Sequence, residues 1–558
     1  MIKPKRKNYV SWIYRKVKKR IPAIMFQMLL SVAVSYANIQ FSLNTKNLVN
    51  SAIAGDYNAL IFCAGIMIAL CLFRLTGNMI NQFLSVNVQE QLERDFKRSI
   101  LHTILRTDYN DISKYHSGEL IQRMNGDANT VYGGVLGLTT GLAGMISALV
   151  TAVLALLNIA PQFTIICGLV AAAVGSTALF FRRVLKQLSK DSSAANGRVS
   201  GFMYESISKL MVVQALDVAE EVERRSDNVL DMRWAIRRKQ RNVSMFARLG
   251  TTTISYTSYL VTMLWCVWQL YNGRITYGDV MAITSLVSTI RSSALQLPKT
   301  LPRLFTISAA CDRIMDLEDL PRQADPDVQK VRSVYADMTG FRAENLTFAY
   351  DREPVMTDVS LTVPKGGLTV IVGPSGVGKS TLLKLLLGLY RPKSGTLSIE
   401  TPDGSIPVDR STRSLFTYAP QGNFLLSGSL RDNLRLTRPN ATDEEIRHAL
   451  YVSAMDEYVD SLPDGLDTML RENGAGLSEG QGQRLSLARA ILSGAPVLLL
   501  DEVTSALDAA TEAIVLERIC GLPDKTCIAV THRPAALALA DYVIEVTESG
   551  TTITEQVK

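Results

Sequence analysis

Charge is what long parts of this sequence lack. From Ala128 to Phe181 there are 54 consecutive residues without Asp, Glu, Lys or Arg, and from Ile21 to Thr45 another 25. A helix needs roughly 20 apolar residues to cross a bilayer, so these runs exclude a wholly soluble chain. Acids are missing from the first 20 residues, which hold nine Lys or Arg. A basic run directly ahead of a long apolar segment reads as a cytoplasmic anchor on anionic lipid, not as a nucleic-acid-binding arm. The apolar segment that follows is too long for a signal peptide and lacks a small-residue cleavage site, so no cleavable leader is expected. Paired cysteine spacings are also absent. The seven cysteines, at 63, 71, 167, 266, 311, 520 and 527, are scattered, which excludes a disulfide framework or a cysteine-held metal.

At 558 residues the chain is too long for one core. Hydrophobic residues make up 47 % of it, and the mean hydropathy is +0.13. Six apolar spans are expected. They are Ile21 to Thr45, Tyr57 to Gln89 (interrupted by Arg74), two within Ala128 to Phe181, Leu249 to Gly273, and about Tyr277 to about Leu297 (interrupted by Arg291). The break in the long uncharged run falls at Asn158-Ile159-Ala160-Pro161-Gln162, a very short turn. The N-terminus, Glu90 to Arg123 and Arg182 to Arg248 are rich in Lys and Arg, whereas the other connections are short and nearly neutral. The positive-inside rule then predicts a multi-pass protein with both termini in the cytoplasm. The two long connections have helical periodicity and few glycines or prolines. They read as cytoplasmic extensions of membrane helices, broken at Asp108-Tyr109-Asn110-Asp111 and near Asn196-Gly197, where a short crosswise helix could meet another domain. Arg74 and Arg291 fall in the inner half of their spans, where a lipid-facing charge is costly. They are candidates for lining a substrate cavity; snorkelling or an ion pair is the plainer reading.

Around Leu320 the apolar spans stop, and Pro321-Arg322-Gln323-Ala324-Asp325-Pro326-Asp327 is a polar linker. The boundaries expected are 1–320 for a membrane domain, 321–338 for the linker and 339–558 for an α/β domain. Within the last, Leu368-Thr369-Val370-Ile371-Val372 is a β-branched apolar run. Gly373-Pro374-Ser375-Gly376-Val377-Gly378-Lys379-Ser380 follows it, and a run of helix formers begins at Thr381. Strand, glycine loop and helix in that order make a phosphate-binding loop. Its glycines let the backbone wrap an anion, its N–H groups face the anion, Lys379 reaches the β- and γ-phosphates, and the Ser380 hydroxyl suits Mg²⁺.

Other elements of nucleotide chemistry follow in order. Tyr350 precedes the loop by about two dozen residues, and an aromatic there can stack on a purine. Gln421, after Phe416-Thr417-Tyr418-Ala419-Pro420, stands at a strand-to-loop junction and can bind Mg²⁺ or its water. Leu477-Ser478-Glu479-Gly480-Gln481 precedes the helical stretch Gln483 to Ser493, a second phosphate-suited helix N-terminus. Val497-Leu498-Leu499-Leu500-Asp501-Glu502 is a buried strand ending in two acids. Asp501 is placed for the Mg²⁺ shell and Glu502 for polarising water. Ser505-Ala506-Leu507-Asp508 is a turn, and His532 closes the strand Cys527-Ile528-Ala529-Val530-Thr531.

In this order the set resembles an ABC transporter half of the exporter type, over essentially the whole length. The resemblance implies a multi-domain fold: an all-α six-helix transmembrane domain, then an α/β P-loop NTPase ATP-binding cassette. It implies ATP and Mg²⁺ as ligands. Tyr350 looks like the adenine-stacking aromatic, 373–380 with Thr381 like Walker A, and Gln421 like the Q-loop glutamine. Residues 477–481 resemble the signature, with Ser478, Gly480 and Gln481 toward nucleotide. Residues 497–501 resemble Walker B, Glu502 the catalytic glutamate, 505–508 the D-loop and His532 the switch histidine. Tyr115-His116-Ser117-Gly118-Glu119-Leu120 is similar to the first cytoplasmic connection, and Glu205 to Glu221 to the second. One departure stands out: Glu479 occupies a signature position that is usually glycine.

The implied function is ATP-driven transport in the cell membrane, of the bacterial inner-membrane kind, with a second half-transporter, the lipid bilayer and an unidentified substrate as partners and no nucleic acid. A homodimeric exporter is favoured. One half of a heterodimer, an importer on the same fold and an ATP-gated channel or sensor stay open, and intact Glu502 argues for turnover against the last. Only 20 residues precede the first span, which leaves no room for a peptide-processing protease domain.

Overall fold

The computed structural model describes residues 8–322, 328–350, 354–422, 424–471, 476–547 and 550–555. Most of the polar linker, 323–327, lies outside the described residues. By its contacts the chain forms two compact units. One comprises residues 1–105 and 116–319, the other 106–115 together with 320–558.

The first unit is helical. Six helices of 32 residues or more stand among the described residues: Ile21–Ala54, Tyr57–Arg106, Ala128–Ile159, Pro161–Ser208, Ala219–Tyr271 and Tyr277–Glu318. Three helical stretches, Tyr9–Ala54, Tyr57–Arg106 and Ser117–Ile159, are long and apolar enough to cross a membrane by length and composition among the described residues. Their ends follow local chemistry. Gly55 closes Ile21–Ala54 in the left-handed conformation (φ 71°) that a helix C-terminus favours. Ile159 and Pro161 flank a one-residue turn with proline at the first helical position, where its missing N–H costs nothing. Thr276 and Asp279 cap the last long helix reciprocally. Ala128–Ile159 packs on Ile21–Ala54 and Tyr277–Glu318, and Pro161–Ser208 packs on Ala219–Tyr271. Ile39, Leu156, Phe163, Cys266, Ile283 and Leu286 form an apolar core, with Phe163 stacked on Trp265 at 4.6 Å. By contrast Phe62, Ile68, Met79 and Phe83 on Tyr57–Arg106 are exposed, as lipid-facing side chains would be.

The two expected breaks fare differently. Tyr57–Arg106 does end, and a four-residue helix, Tyr109–Ile112, follows with Asp108 as its cap. Near Asn196-Gly197 the expectation is wrong, because Pro161–Ser208 runs through unbroken. An isolated glycine costs a helix only about 1 kcal/mol relative to alanine, too little to end a 48-residue element. The interruption comes at Lys209, before the short helix Leu210–Ala215, and Asp217 in left-handed geometry (φ 51°) turns the chain into Ala219–Tyr271.

Among the described residues the second unit holds three sheets. The central one has six strands in the order Gly550–Glu555, Tyr542–Thr547, Gly367–Val372, Thr526–Val530, Val497–Asp501 and Phe416–Ala419. All neighbours are parallel except the first pair. Thr526–Val530 and Val497–Asp501 are buried throughout, as parallel strands covered on both faces must be. An antiparallel sheet is built from Met356–Pro364, Gly340–Phe348, Ser394–Thr401 and Gly404–Pro407. A two-stranded ribbon (Gly428–Ser429 with Met469–Leu470) adjoins a helical part that includes Asp443–Val452 and Glu479–Leu492. The segment expected as linker contains a ten-residue helix, Val328–Asp337.

Candidate nucleotide site

The parallel register decides where the site falls. Ile371 pairs with Val530, Val530 with Asp501, and Ala419 with Leu500. Four strands therefore end together. Gly373–Ser380, His532, Asp501–Glu502 and Gln421 all continue from that edge, the carboxyl end where open α/β sheets bind ligands.

In the loop, Gly373 (φ 147°), Gly376 (φ 87°) and Gly378 (φ 100°) all have positive φ. A Cβ on Gly373 would collide with the Val546 carbonyl, and one on Gly378 would lie 2.6 Å from Met356 Cγ. Both positions exclude side chains by conformation and by space. Gly378 caps the helix Lys379–Leu386, while Pro374, Ser375 and Gly376 face solvent at the mouth of the loop. Lys379 is only 7 % exposed, and its ammonium donates to the carbonyls of Gly373 (2.6 Å) and Pro374 (2.8 Å). Burial pushes this lysine below its usual range, and the charges of Glu502 and Asp501 oppose the shift. The result is a cation held inside the loop where a phosphate would enter.

Asp501 is 2 % exposed and has a donor on each oxygen. Ser380 donates to Oδ1 at 2.8 Å, and the Tyr418 hydroxyl donates to Oδ2 at 2.9 Å. Glu502, the next residue, sits at φ 51°, a left-handed conformation that costs a non-glycine residue of order 1 kcal/mol or more. Its N–H donates to the Val530 carbonyl (3.0 Å), and its carboxylate accepts from Gln421 Nε2 at 2.5 Å. The acid proposed for water activation and the Q-loop amide are thus in contact. The amide of Gln421 bonds this glutamate, while the hydroxyl of Ser380 bonds Asp501. Those last two residues supply a hydroxyl and a carboxylate oxygen 2.8 Å apart, the hard oxygen donors that Mg²⁺ takes.

Tyr350 is half exposed, and its hydroxyl bonds Thr381 Oγ1 at 3.0 Å. Its ring stands edge-to-face against Phe348 (5.0 Å) and Tyr390 (5.2 Å). Tyr390 in turn meets Tyr109, and Arg391 pairs with Asp108 at 3.0 Å. The segment 106–115 is therefore anchored one residue pair away from the candidate base-stacking tyrosine.

The signature region begins its helix at Glu479, earlier than the expected Gln483. Ser478 and Gln481 form a capping box: the Ser478 hydroxyl accepts from the Gln481 N–H, and Gln481 Oε1 accepts from the Ser478 N–H at 2.8 Å. The Gln481 side chain is thus engaged in the cap. Gly480 serves packing, because a Cβ there would lie 2.9 Å from the Ala506 carbonyl. Gln483 ties the same helix to the D-loop turn through Ser505 Oγ and the Ala506 N–H. Glu479 is the first residue of the helix, where the positive end of the helix dipole favours a carboxylate. This explains how a charge is tolerated at a position that is usually glycine.

His532 is exposed at the end of its strand. Its neighbour Arg533, not singled out from sequence, donates to the Ser505 carbonyl at 2.5 Å and so joins the switch strand to the D-loop. Tyr418 and Tyr390 were likewise missed. Their roles depend on partners far apart in sequence, and no local motif marks them. Arg74, in the helical unit, lies over the Phe41 ring at 5.2 Å, and both it and Arg291 are half-buried.

Residues 24–294 match the ABC transporter transmembrane region, and residues 356–505 match the ABC transporter family. The mycobactin import ATP-binding/permease protein IrtB of Mycolicibacterium smegmatis is 31 % identical over 427 residues, 75 % of this chain and 73 % of that protein. The chain belongs to the ABC transporter family. This ABC half-transporter is also similar to the beta-(1-->2)glucan export ATP-binding/permease protein NdvA of Agrobacterium fabrum, 34 % identical over 301 residues, 54 % of this chain and 51 % of that one. Among solved structures, that of a bacterial Atm1-family ABC exporter with ATP bound matches with a TM-score of 0.81 at 20 % identity. The match covers 96 % of this chain and 94 % of that one, and it shows the exporter-type fold. A helical transmembrane domain precedes an ATP-hydrolysing cassette, and ABC half-transporters of this fold work in membranes as dimers.

Proposed function

We propose that this half-transporter is an ATP-driven exporter working as a homodimer in the bacterial inner membrane. On this reading its six long helices each span the bilayer, both termini are cytoplasmic, and the divisions are 1–320, 321–338 and 339–558. The observation that carries it is the convergence of Lys379, Ser380, Asp501, Glu502 and Gln421 at one sheet edge. Residues 373–381 cradle the ATP phosphates, Lys379 pairs with the β- and γ-phosphates, and Tyr350 stacks on the adenine. Ser380, Asp501 and Gln421 would hold Mg²⁺, which neutralises phosphate charge when bound. Glu502, oriented by Gln421, accepts a proton from the attacking water. His532 senses the γ-phosphate, and Ser478 with Gly480 and Gln481 of the second chain closes over the nucleotide. ATP favours the closed pair because only that state contacts it from both sides, and hydrolysis removes the preference.

A second reading, uptake on the same fold, is favoured by the likeness to a protein named for mycobactin import. Sided transport in proteoliposomes separates the two. With cassettes facing outward, export appears as ATP-dependent accumulation inside the vesicle, and loss of preloaded substrate overturns it. The same assay tests the cavity. If Arg74 and Arg291 favour anionic substrates, changing either to Gln lowers transport of an acidic substrate and leaves basal ATPase intact. Parental transport by both variants makes the arginines structural, with Arg74 satisfied by Phe41.

A further inference from the structure

The two oxygens of Asp501 are bound from different elements, and only one of those donors belongs to a recognised nucleotide motif. Ser380 comes from the P-loop helix. Tyr418 comes from Phe416–Ala419, the strand beside Val497–Asp501, where it pairs in register with Leu499. We propose that Tyr418 is a positioning residue that keeps Asp501 a one-oxygen ligand and so gives the site its preference for Mg²⁺ over the larger Ca²⁺. The proposal rests on the reading that Ser380 and Asp501 hold the metal.

The argument is geometric. With Oδ2 held by the phenol at 2.9 Å, only Oδ1 is turned toward Ser380. Mg²⁺ demands near-octahedral geometry with short bonds, whereas Ca²⁺ has a larger, looser shell that readily takes both oxygens of a carboxylate. A carboxylate that cannot swing its second oxygen inward therefore suits the smaller ion. Asp501 is nearly inaccessible, so a lost donor is not replaced by bulk water, and the freed oxygen gains by turning toward a cation. A tyrosine that merely filled the core would affect stability and leave metal choice alone. Partners of this kind, one step behind the metal ligands, commonly control affinity by 10- to 100-fold, on the order of the effect expected here.

Tyr418→Phe removes the hydroxyl and keeps the ring. The full-length protein, purified in detergent with a non-hydrolysable ATP analogue, is titrated with Mg²⁺ or Ca²⁺ while the melting temperature is followed. Mn²⁺ binding read by electron paramagnetic resonance gives an independent signal. The expected result is a roughly tenfold rise in the Mg²⁺ half-saturation with Ca²⁺ unchanged or tighter. An unchanged ratio of the two half-saturations overturns the proposal. Melting without metal or nucleotide reports folding, and Tyr418→Met, which also lacks the donor, serves if the Phe variant folds poorly. Asp501→Asn separates the two levels. If it leaves the metal dependence intact, the metal-site reading itself is wrong. If it abolishes that dependence while Tyr418→Phe changes nothing, only the role of Tyr418 falls.

Discussion

At the scale of single residues, Lys379 and Glu502 should separate binding from chemistry. Lys379 is buried and bonded to the loop's own carbonyls, so it is preorganised for phosphate. Glu502 is held at positive φ and hydrogen-bonded by Gln421, next to Asp501 and away from the loop carbonyls that hold Lys379. Glu502→Gln should therefore bind ATP at close to parental affinity while hydrolysis falls by about 10²-fold or more, the usual weight of a general base. Lys379→Ala should instead weaken nucleotide binding, read by equilibrium titration of a fluorescent ATP analogue. Hydrolysis at the parental rate in Glu502→Gln would overturn the assignment. These residues were legible in the sequence because each stands at a fixed offset from a strand end, so the chemistry travels with a local pattern. Tyr418 lies three residues before Gln421, yet nothing local marks its role. Its partner Asp501 is 83 positions away and reached only through the order of the strands.

At the scale of elements, the helical breaks show what local reading can and cannot reach. Asp108 was legible as a break because it is a strong cap, and its side chain accepts from the Asn110 N–H. Asn196-Gly197 looked like a break by composition, yet its helix continues. The short helix Leu210–Ala215 falls within Glu205 to Glu221, the stretch that resembles the second connection of the family. A family pattern carries information about tertiary demand that helix propensity lacks. The first short helix also has measurable anchors. The Asp108 N–H donates to the Pro321 carbonyl, its carboxylate pairs with Arg391, and Tyr109 packs on Tyr390 at 5.5 Å. Asp108→Ala removes the cap and the ion pair but leaves the ring contact. The cap is worth about 1 kcal/mol, so the amides of Tyr109–Ile112 should exchange hydrogen roughly fivefold faster, with amides of the central sheet unchanged. Unchanged exchange in the short helix would show that the aromatic contact and the Asp108 backbone hydrogen bond hold it without the cap.

At the scale of the whole molecule, one chain supplies one P-loop and one signature serine, and the question is whether they serve the same nucleotide. Ser478 is exposed at the start of the helix Glu479–Leu492. If two chains meet head to tail, each site takes Lys379 from one and Ser478 from the other, and neither site is complete in a monomer. Chains carrying Lys379→Ala and chains carrying Ser478→Arg are each inactive alone under either arrangement. In a mixed dimer the arrangements diverge. When sites are shared, both lesions fall on one nucleotide and the other site is whole; when each chain completes its own site, both sites are broken. Each mixed dimer keeps one whole site of two, so independent shared sites should recover up to roughly half of parental ATPase per dimer. The recovery is measured after co-expression with two affinity tags, so that only mixed dimers are assayed. Parental ATPase from a chain held monomeric in nanodiscs would overturn the shared site outright.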